Sequence, residues 1–355
     1  MSTLTSPVVL GIETSCDDTA CAVVGGDGTV LSSVVSSQLA AHRPFGGVVP
    51  EIASREHLAN WPAVSREALD RGGVSLEDID VVAATHGPGL MGALLVGLSL
   101  GKAMAYGLGK PFHAVHHLEG HLFSPFLSPP GEPAAKPPDS FAGLVVSGGH
   151  TSIYLVEGEK TRVVAETRDD AMGEVFDKIG KRLGLVYPQG PRVDELAEKG
   201  APGGKRFAIA RCSDGSLDFS YSGLKTQVLV EIERLEKNGV ETRIAQEPEP
   251  RMASLLAAFR LAAVDQLIDR LDRVYADSPF SCLAISGGVA ANRLLRRRFP
   301  DWSAARGVDL RLVPLIYSGD NAAMIAHAAL RRERRGRSDD PLKAEASSRL
   351  AMPTS

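Results

Sequence analysis

The chain reads as an α/β protein built from a duplicated domain with a cleft between the copies, and three observations predict it. An apolar strand over residues 8–12 runs into the small-residue turn Glu13-Thr14-Ser15-Cys16-Asp17 and then a second strand at 20–24. Residues 141–156 repeat that plan, with Leu144-Val145-Val146, the turn Ser147-Gly148-Gly149-His150 and a strand at 152–156. A third strand and turn, Leu283-Ala284-Ile285-Ser286-Gly287-Gly288, leads into a helix that begins near Ala291. Similar hairpin openings in separate halves mark an internal repeat. Each Gly pair lets backbone approach a phosphate or carbonyl, and the third sits where a helix N-terminus adds positive partial charge.

Helices are expected between these hairpins. Pro88-Gly89 opens one that runs to about Tyr106 and stops at Gly107, Gly109 and Pro111. Its most apolar part, 90–100, is cut by Lys102; it is too short for a membrane span and reads as a buried helix. Residues 125–138 hold six prolines and read as an exposed loop. From 252 to 275, Leu256, Phe259, Ala263, Leu267, Leu271 and Val274 recur at the spacing of a core-facing helix. With 355 residues and 44% apolar content, the chain can bury two cores. Cys16, Cys21, Cys212 and Cys282 form no CxxC pair, which excludes a disulfide framework or thiolate zinc site. No Lys or Arg precedes Arg43, so neither a secretory signal nor a transit peptide is expected and the cytoplasm is the expected location. A net charge of −4 argues against general nucleic-acid coating but leaves room for a local basic face.

The segment His113-Ala114-Val115-His116-His117-Leu118-Glu119-Gly120-His121 concentrates four histidines and points to a metal. His117 and His121, four residues apart, share one helix face, and a stable site needs a further ligand. Asp320 is the best candidate, in a Gly-flanked turn at the start of a helix, where loops of α/β proteins converge on ligands. The alternative is that one or two of these histidines cap a helix and the others are solvated.

Several ordered motifs carry a family resemblance: Gly11-Ile12-Glu13-Thr14-Ser15-Cys16-Asp17, Gly46-Gly47-Val48-Val49-Pro50-Glu51, Gly87-Pro88-Gly89-Leu90, His116 through His121, Val146 through Thr151, Gly173 through Lys178, Asp218 through Thr226, and Ser286 through Arg293. Over residues 8 to about 330 the chain resembles the bacterial tRNA N6-adenosine threonylcarbamoyltransferases, the larger catalytic subunits of the system that makes t6A at position 37 of tRNAs reading ANN codons. The resemblance implies two ribonuclease-H-like domains of the actin and Hsp70 type, the first over 1–115 and 322–355. The second would cover 116–321, with a helical insertion around 195–275. It implies one divalent metal, iron(II) ahead of zinc, on His117, His121 and Asp320. It further implies adenylate binding by Val145, Val146, Ser147, Gly148, Gly149, Asp177, Gly190, Asp194 and Asn292. Asp18 stands where the family usually has Glu.

The implied substrate, threonylcarbamoyl-AMP, is a mixed anhydride, and the implied nucleophile is the poorly reactive exocyclic amine of adenosine. Catalysis then rests on positioning and on stabilising charge at carbonyl and phosphate oxygens. Asp17 is the expected acceptor of the N6 proton, its alternative role being a turn residue bonded to its own backbone. Asn292 has an alternative as a helix cap. A metallopeptidase would need Glu directly after the first His, whereas Glu119 follows His117 by two. An actin-fold kinase or ATPase would carry an Asp-x-Gly-Thr turn, from which Glu13-Thr14-Ser15 departs.

Lys178, Lys181, Arg182, Arg206 and Lys225 flank the expected cleft and are the expected tRNA phosphate contacts. Arg293, Arg296, Arg297 and Arg298, and the run Arg331 to Arg337, read as solvated helix faces. The resemblance implies two protein partners, a smaller paralogous subunit and a small P-loop ATPase, and no membrane. The helix over 90–106 is a docking face or, by the simpler reading, core.

Overall fold

The computed structural model describes residues 6–352 except 133–134 and 213. In chain order the first strands are β1 (Val9–Glu13), β2 (Asp18–Val24) and β3 (Val30–Ser37). They are followed by α1 (Leu39–His42), α2 (Pro50–Gly72), β4 (Val81–Gly87), α3 (Met91–Leu108), β5 (Phe112–His116) and α4 (His117–Phe123). Then come β6 (Ser140–Val146), β7 (Thr151–Glu157), β8 (Lys160–Glu166), α5 (Met172–Arg182), α6 (Gln189–Ala197), α7 (Ser222–Lys237) and α8 (Pro250–Asp277). Last are β9 (Cys282–Ser286), α9 (Arg293–Ala304), β10 (Asp309–Leu312) and α10 (Ala322–Glu333).

Contacts divide the described chain into two units, 6–137 with 313–352 and 138–312. The first unit's sheet has the order β3-β2-β1-β4-β5, with β1, β2 and β3 antiparallel and β4 and β5 parallel to β1. The second has the order β8-β7-β6-β9-β10 with the same sense at every corresponding pair. This is one topology, ribonuclease-H-like, written twice, and it is the duplicated α/β fold that the repeated hairpins predict. The expected boundary at 115/116 would fall inside β5 and part it from α4. Contacts instead keep α4 with α10 in the first unit, and that unit takes up the chain again at 313.

In the first unit, alternation along β1 sorts the side chains. Val8, Leu10 and Ile12 join the core with Trp61, Val64 and Ala68 of α2 and Leu98 and Ala105 of α3. Gly11 faces the other way, onto Ala322 and Ala326 of α10, so Glu13 at the strand end shares that side. Helix α10 is buried at nine successive positions, Ala322 to Leu330, and its small side chains let it lie close on the sheet.

Two expectations change. The helix α3 is amphipathic by exposure, not buried throughout. It is long and apolar enough to cross a membrane, yet it packs on β4 and α2 through Ala93, Leu94, Leu98 and Ala105 while leaving Met91, Leu95 and Tyr106 exposed. The proline-rich stretch is not wholly an exposed loop either, because Pro125 and Phe126 are buried in a short 3-10 turn after α4 and Leu127 is buried just beyond it. In the second unit the stripe on α8 is core at all six expected positions.

His327 on α10 is buried, and neither ring nitrogen has a hydrogen-bond partner among the described residues. Burial pushes its pKa down to about 3, with Arg331 and Arg334 adding to the effect. A folded pKa below the unfolded value of 6.5 means that protons favour the unfolded chain. The contribution is intact above that value and falls by about 1.4 kcal/mol per pH unit as pH drops toward the folded pKa. His327→Leu is therefore expected to flatten the loss of stability between about pH 6 and pH 4, measured by urea unfolding. Parallel curves for the two proteins would refute the account.

Candidate metal centre and nucleotide pocket

β5 ends at His116 and turns directly into α4, so His117 and His121 lie one helical turn apart on one face. The loop from β10 to α10 brings Asp320 to them just before Asn321, whose side chain caps α10 by accepting from Met324 N–H. His121 Nε2 lies 3.1 Å and His117 Nε2 3.6 Å from Asp320 Oδ1. The three donor atoms lie within 4.8 Å of one another, and both histidines are buried.

Behind His117 stands Glu13, fully buried at the end of β1, with Oε2 3.1 Å from His117 Nδ1. The same carboxylate accepts from Thr85 Oγ1 at 2.6 Å and from Ser15 N–H. Burial alone would depress His117, but Asp320 and Glu13 overcome it and raise its pKa to about 9. Burial would raise Glu13, and the charge and hydrogen bond of His117 turn the net shift downward. Nδ1 is thus held by a carboxylate and Nε2 is left toward Asp320. Two imidazole nitrogens and one carboxylate oxygen are the donor set of zinc and non-haem iron sites, with a carboxylate orienting one ring from behind. The residues fit a divalent cation.

The neighbouring turn is acidic and braced from below. His57 donates from Nε2 to the Cys16 carbonyl at 3.0 Å, and its Nδ1 lies 2.8 Å from Thr19 Oγ1. Asp18 is pushed up to about 7 by burial first and by Asp320 next. Burial and then Asp17 push the Cys16 thiol up, so it stays protonated. The other two histidines of the crowded segment do not join the metal group. His113 donates to Glu333 at 2.8 Å, while His116 contacts the Leu350 carbonyl and caps α4.

The second unit holds a separate cavity of about 330 Å³, lined among others by Gly148, Asp177, Gly190, Asp194 and Asn292. Val145, Val146, Ser147 and Gly149 do not line it. The two valines are buried in β6, paired with β7 on one side and, for Val145, with β9 on the other. Ser147 N–H donates to the His150 carbonyl at 2.7 Å. A Cβ on Gly148 would meet open space. Gly287, with φ +91°, has a different need: its missing Cβ would lie 2.3 Å from the Val146 carbonyl oxygen, so neighbouring backbone requires it.

The polar residues of this cavity are themselves held. Asp177 Oδ1 accepts from the N–H groups of Gln189 and Gly190 at 2.9 and 2.7 Å. Asn292 caps α9 by accepting from Leu295 N–H, and its Nδ2 donates to Asp194 at 2.8 Å. Asp194 also accepts from Arg293 N–H and from the buried Arg260, which pairs with Glu198 as well. Sequence reasoning missed Glu13 as the support of His117, and it missed Arg260 and the raised Asp18. Their identities were plain, but only the fold reveals what each faces.

Of the expected phosphate contacts, Lys178 and Lys225 pair with Asp170 and Arg182 with Glu236. Among the described residues Lys181 and Arg206 make no ion pair. Arg297 and Arg298 pair with Glu198 and Asp265, and Arg331 lies over the Phe123 ring.

Comparison with known proteins identifies the lineage. The profile of the tRNA N6-adenosine threonylcarbamoyltransferase family matches residues 29–327. The tRNA N6-adenosine threonylcarbamoyltransferase of Pelobacter propionicus is 48% identical over 320 residues, 90% of each chain. That of Thermosipho africanus is 42% identical over 334 residues, covering 94% of this chain and 96% of the relative. Among solved structures, T. kodakarensis HypF aligns with a TM-score of 0.60 at 16% identity, over 94% of this chain and 48% of that one. Component A of the Acidaminococcus fermentans (R)-2-hydroxyglutaryl-CoA dehydratase aligns with a TM-score of 0.50 at 15% identity, over 93% of this chain and 100% of that one. At such identities these two share the fold alone. With a profile spanning most of its length and full-length relatives above 40% identity, the chain belongs to the tRNA N6-adenosine threonylcarbamoyltransferase family.

Proposed function

We propose that this chain transfers the threonylcarbamoyl group from threonylcarbamoyl-AMP to N6 of adenosine 37 in tRNAs reading ANN codons, releasing AMP. The observation that carries the reading is the buried His117, His121 and Asp320 group with Glu13 behind it, in a chain of this family. The amine nitrogen attacks the carbamoyl carbon, the bond from that carbon to the phosphate oxygen breaks, and the nitrogen gives up one proton. We assign the cation to His117, His121 and Asp320, iron(II) ahead of zinc, where it supplies Lewis-acid charge to substrate oxygens.

The adenylate is assigned to the cavity bordered by Gly148, Asp177, Gly190, Asp194 and Asn292, with the rest of 145–149 forming the strand end and turn that carry Gly148. Gly148 offers the open wall, while Asp177, Asp194 and Asn292 shape the cavity by fixing the first turns of α6 and α9. Asp17 is the proposed acceptor of the N6 proton, from its place in the acidic turn that follows β1. A peptidase reading loses its base, because Glu119 is paired with Arg332. The tRNA is assigned to the basic residues of the second unit, Lys178, Lys181, Arg182, Arg206 and Lys225. The exposed face of α3, with Met91, Leu95 and Tyr106, joined by Leu58 of α2, is where we place the smaller paralogous subunit. A small P-loop ATPase completes the partner set, and the cytoplasm is the proposed location.

The deciding experiment incubates the purified chain and its partners with threonylcarbamoyl-AMP and unmodified ANN-decoding tRNA, followed by nucleoside mass analysis. Formation of t6A and AMP in equal amounts is expected, and AMP release without modified nucleoside would sink the reading. Replacing both His117 and His121 with Ala is expected to abolish bound metal and lower transfer by about 100-fold or more, with little change in circular dichroism. Unchanged metal content by elemental analysis would remove the assignment. Gly148→Val should weaken binding of a stable adenylate analogue by roughly tenfold, about 1.4 kcal/mol, because the side chain fills the open wall. Calorimetry giving the wild-type affinity would exclude that wall from the site.

A further inference from the structure

Beyond α10 the chain runs back across the first unit as a strap, residues 340–352, held by groups that the metal site does not use. Lys102 of α3 donates to the Ala344 carbonyl at 2.8 Å, and His86 of β4 donates from Nδ1 to the Glu345 carbonyl at 3.2 Å. Ser347 N–H returns a bond to the His86 carbonyl at 2.9 Å. Ala344 and Ala346 pack on the core, and the Ser347 carbonyl oxygen lies 2.3 Å from where Gly87 would carry a Cβ.

The last link is His116. Its ring is buried, with Nε2 3.1 Å from the Leu350 carbonyl oxygen and Nδ1 3.2 Å from Leu118 N–H. A carbonyl can only accept, so Nε2 carries the proton. In a neutral ring Nδ1 is then bare and free to accept, as a helix cap must. The helix so capped is α4, which carries His117 and His121.

We infer that the C-terminal strap positions the metal-binding helix: the Leu350 carbonyl sets the tautomer of His116, and His116 in that tautomer caps α4 and holds both histidine ligands in register. His116 is a positioning residue and does not itself bind the cation. Without the strap, the buried Nε2–H loses its acceptor and the proton can move to Nδ1, where it would face Leu118 N–H donor to donor. The inference rests on the metal reading above and adds to it a control lying more than 200 residues away in sequence.

The test uses the full chain stripped of metal and titrated with Zn²⁺ against a competing chelator. Two variants separate the links. Ending the chain after Ser348 removes the Leu350 carbonyl but keeps the contacts of Lys102, His86, Ala344 and Ala346. His116→Asn keeps a capping side chain too short to reach the strap. The truncation is expected to weaken Zn²⁺ binding by roughly tenfold, the lower end of the effect of outer-shell partners, with the metal-free melting temperature little changed. In the His116→Asn background the same truncation should cause no further loss. Nitrogen-15 spectra of the intact chain should show His116 protonated at Nε2, and truncation should shift that signal. Wild-type affinity in a folded truncated chain overturns the inference, as does a lowered melting temperature with unchanged affinity, or His116 protonated at Nδ1. An intact chain that binds no Zn²⁺ defeats the metal reading itself, a different result from intact and truncated chains binding equally.

Discussion

A carboxylate without solvent must be compensated or it will not stay charged, and in the first unit that constraint falls on Glu13. Strand alternation aims it at the α10 side of the sheet, where water is excluded. Its compensation comes from three places: Ser15 in its own turn, Thr85 on the adjacent strand, and His117 on α4. Thr85 and His117 reach Glu13 only if β1, β4 and β5 are in register, so the carboxylate reports on the correct assembly of the sheet. Leaving such a group buried without its partner costs about 3–5 kcal/mol, comparable with much of a domain's net stability. With Ser15 and Thr85 still bonded to Glu13, loss of His117 lowers the stability of the first unit without unfolding it, so the Glu13–His117 pair steadies the fold as well as the ring.

The two units show how one topology serves two chemistries. At the end of β1 the turn carries acids and hydroxyls and meets histidines. At the corresponding end of β6 the turn carries Gly148 and Gly149 and meets open space. Hydrogen bonding follows the same division. Around the first turn, Glu13, Thr85 and His117 bond side chain to side chain, whereas around the second, Asp177 and Asp194 each also hold backbone N–H groups at helix starts. The first arrangement supplies ligands and the second supplies a shaped wall.

The duplicated hairpins, the α8 stripe and the shared helix face of His117 and His121 were readable because each rests on local spacing: period two in strands, three to four in helices. His113 and His116 look no different from His117 in sequence. Their fates diverge because Glu333 and Leu350 arrive from more than 200 residues away. The same distance hid the unit boundary, since α4 belongs with α10 by contact and with β6 only by proximity in sequence. Asn292 caps α9, the alternative expected of it, and also borders the cavity; its bond to Asp194 follows from how α6 lies, which spacing within one segment does not encode. The partial exposure of α3 was likewise invisible, because an apolar sequence says what could be buried but not what there is to bury it.

Helix α10 supplies nine buried residues to the first unit yet follows the whole of the second unit in the chain. During synthesis the strands β1 to β5 leave the ribosome without the helix that covers one side of their sheet. The second unit, continuous from 138 to 312, has every residue it needs before α10 has been made. The order of completion is then second unit first, first unit last. Asp320 also lies beyond the second unit in the chain, so the group it forms with His117 and His121 is completed only after the whole of that unit has been made.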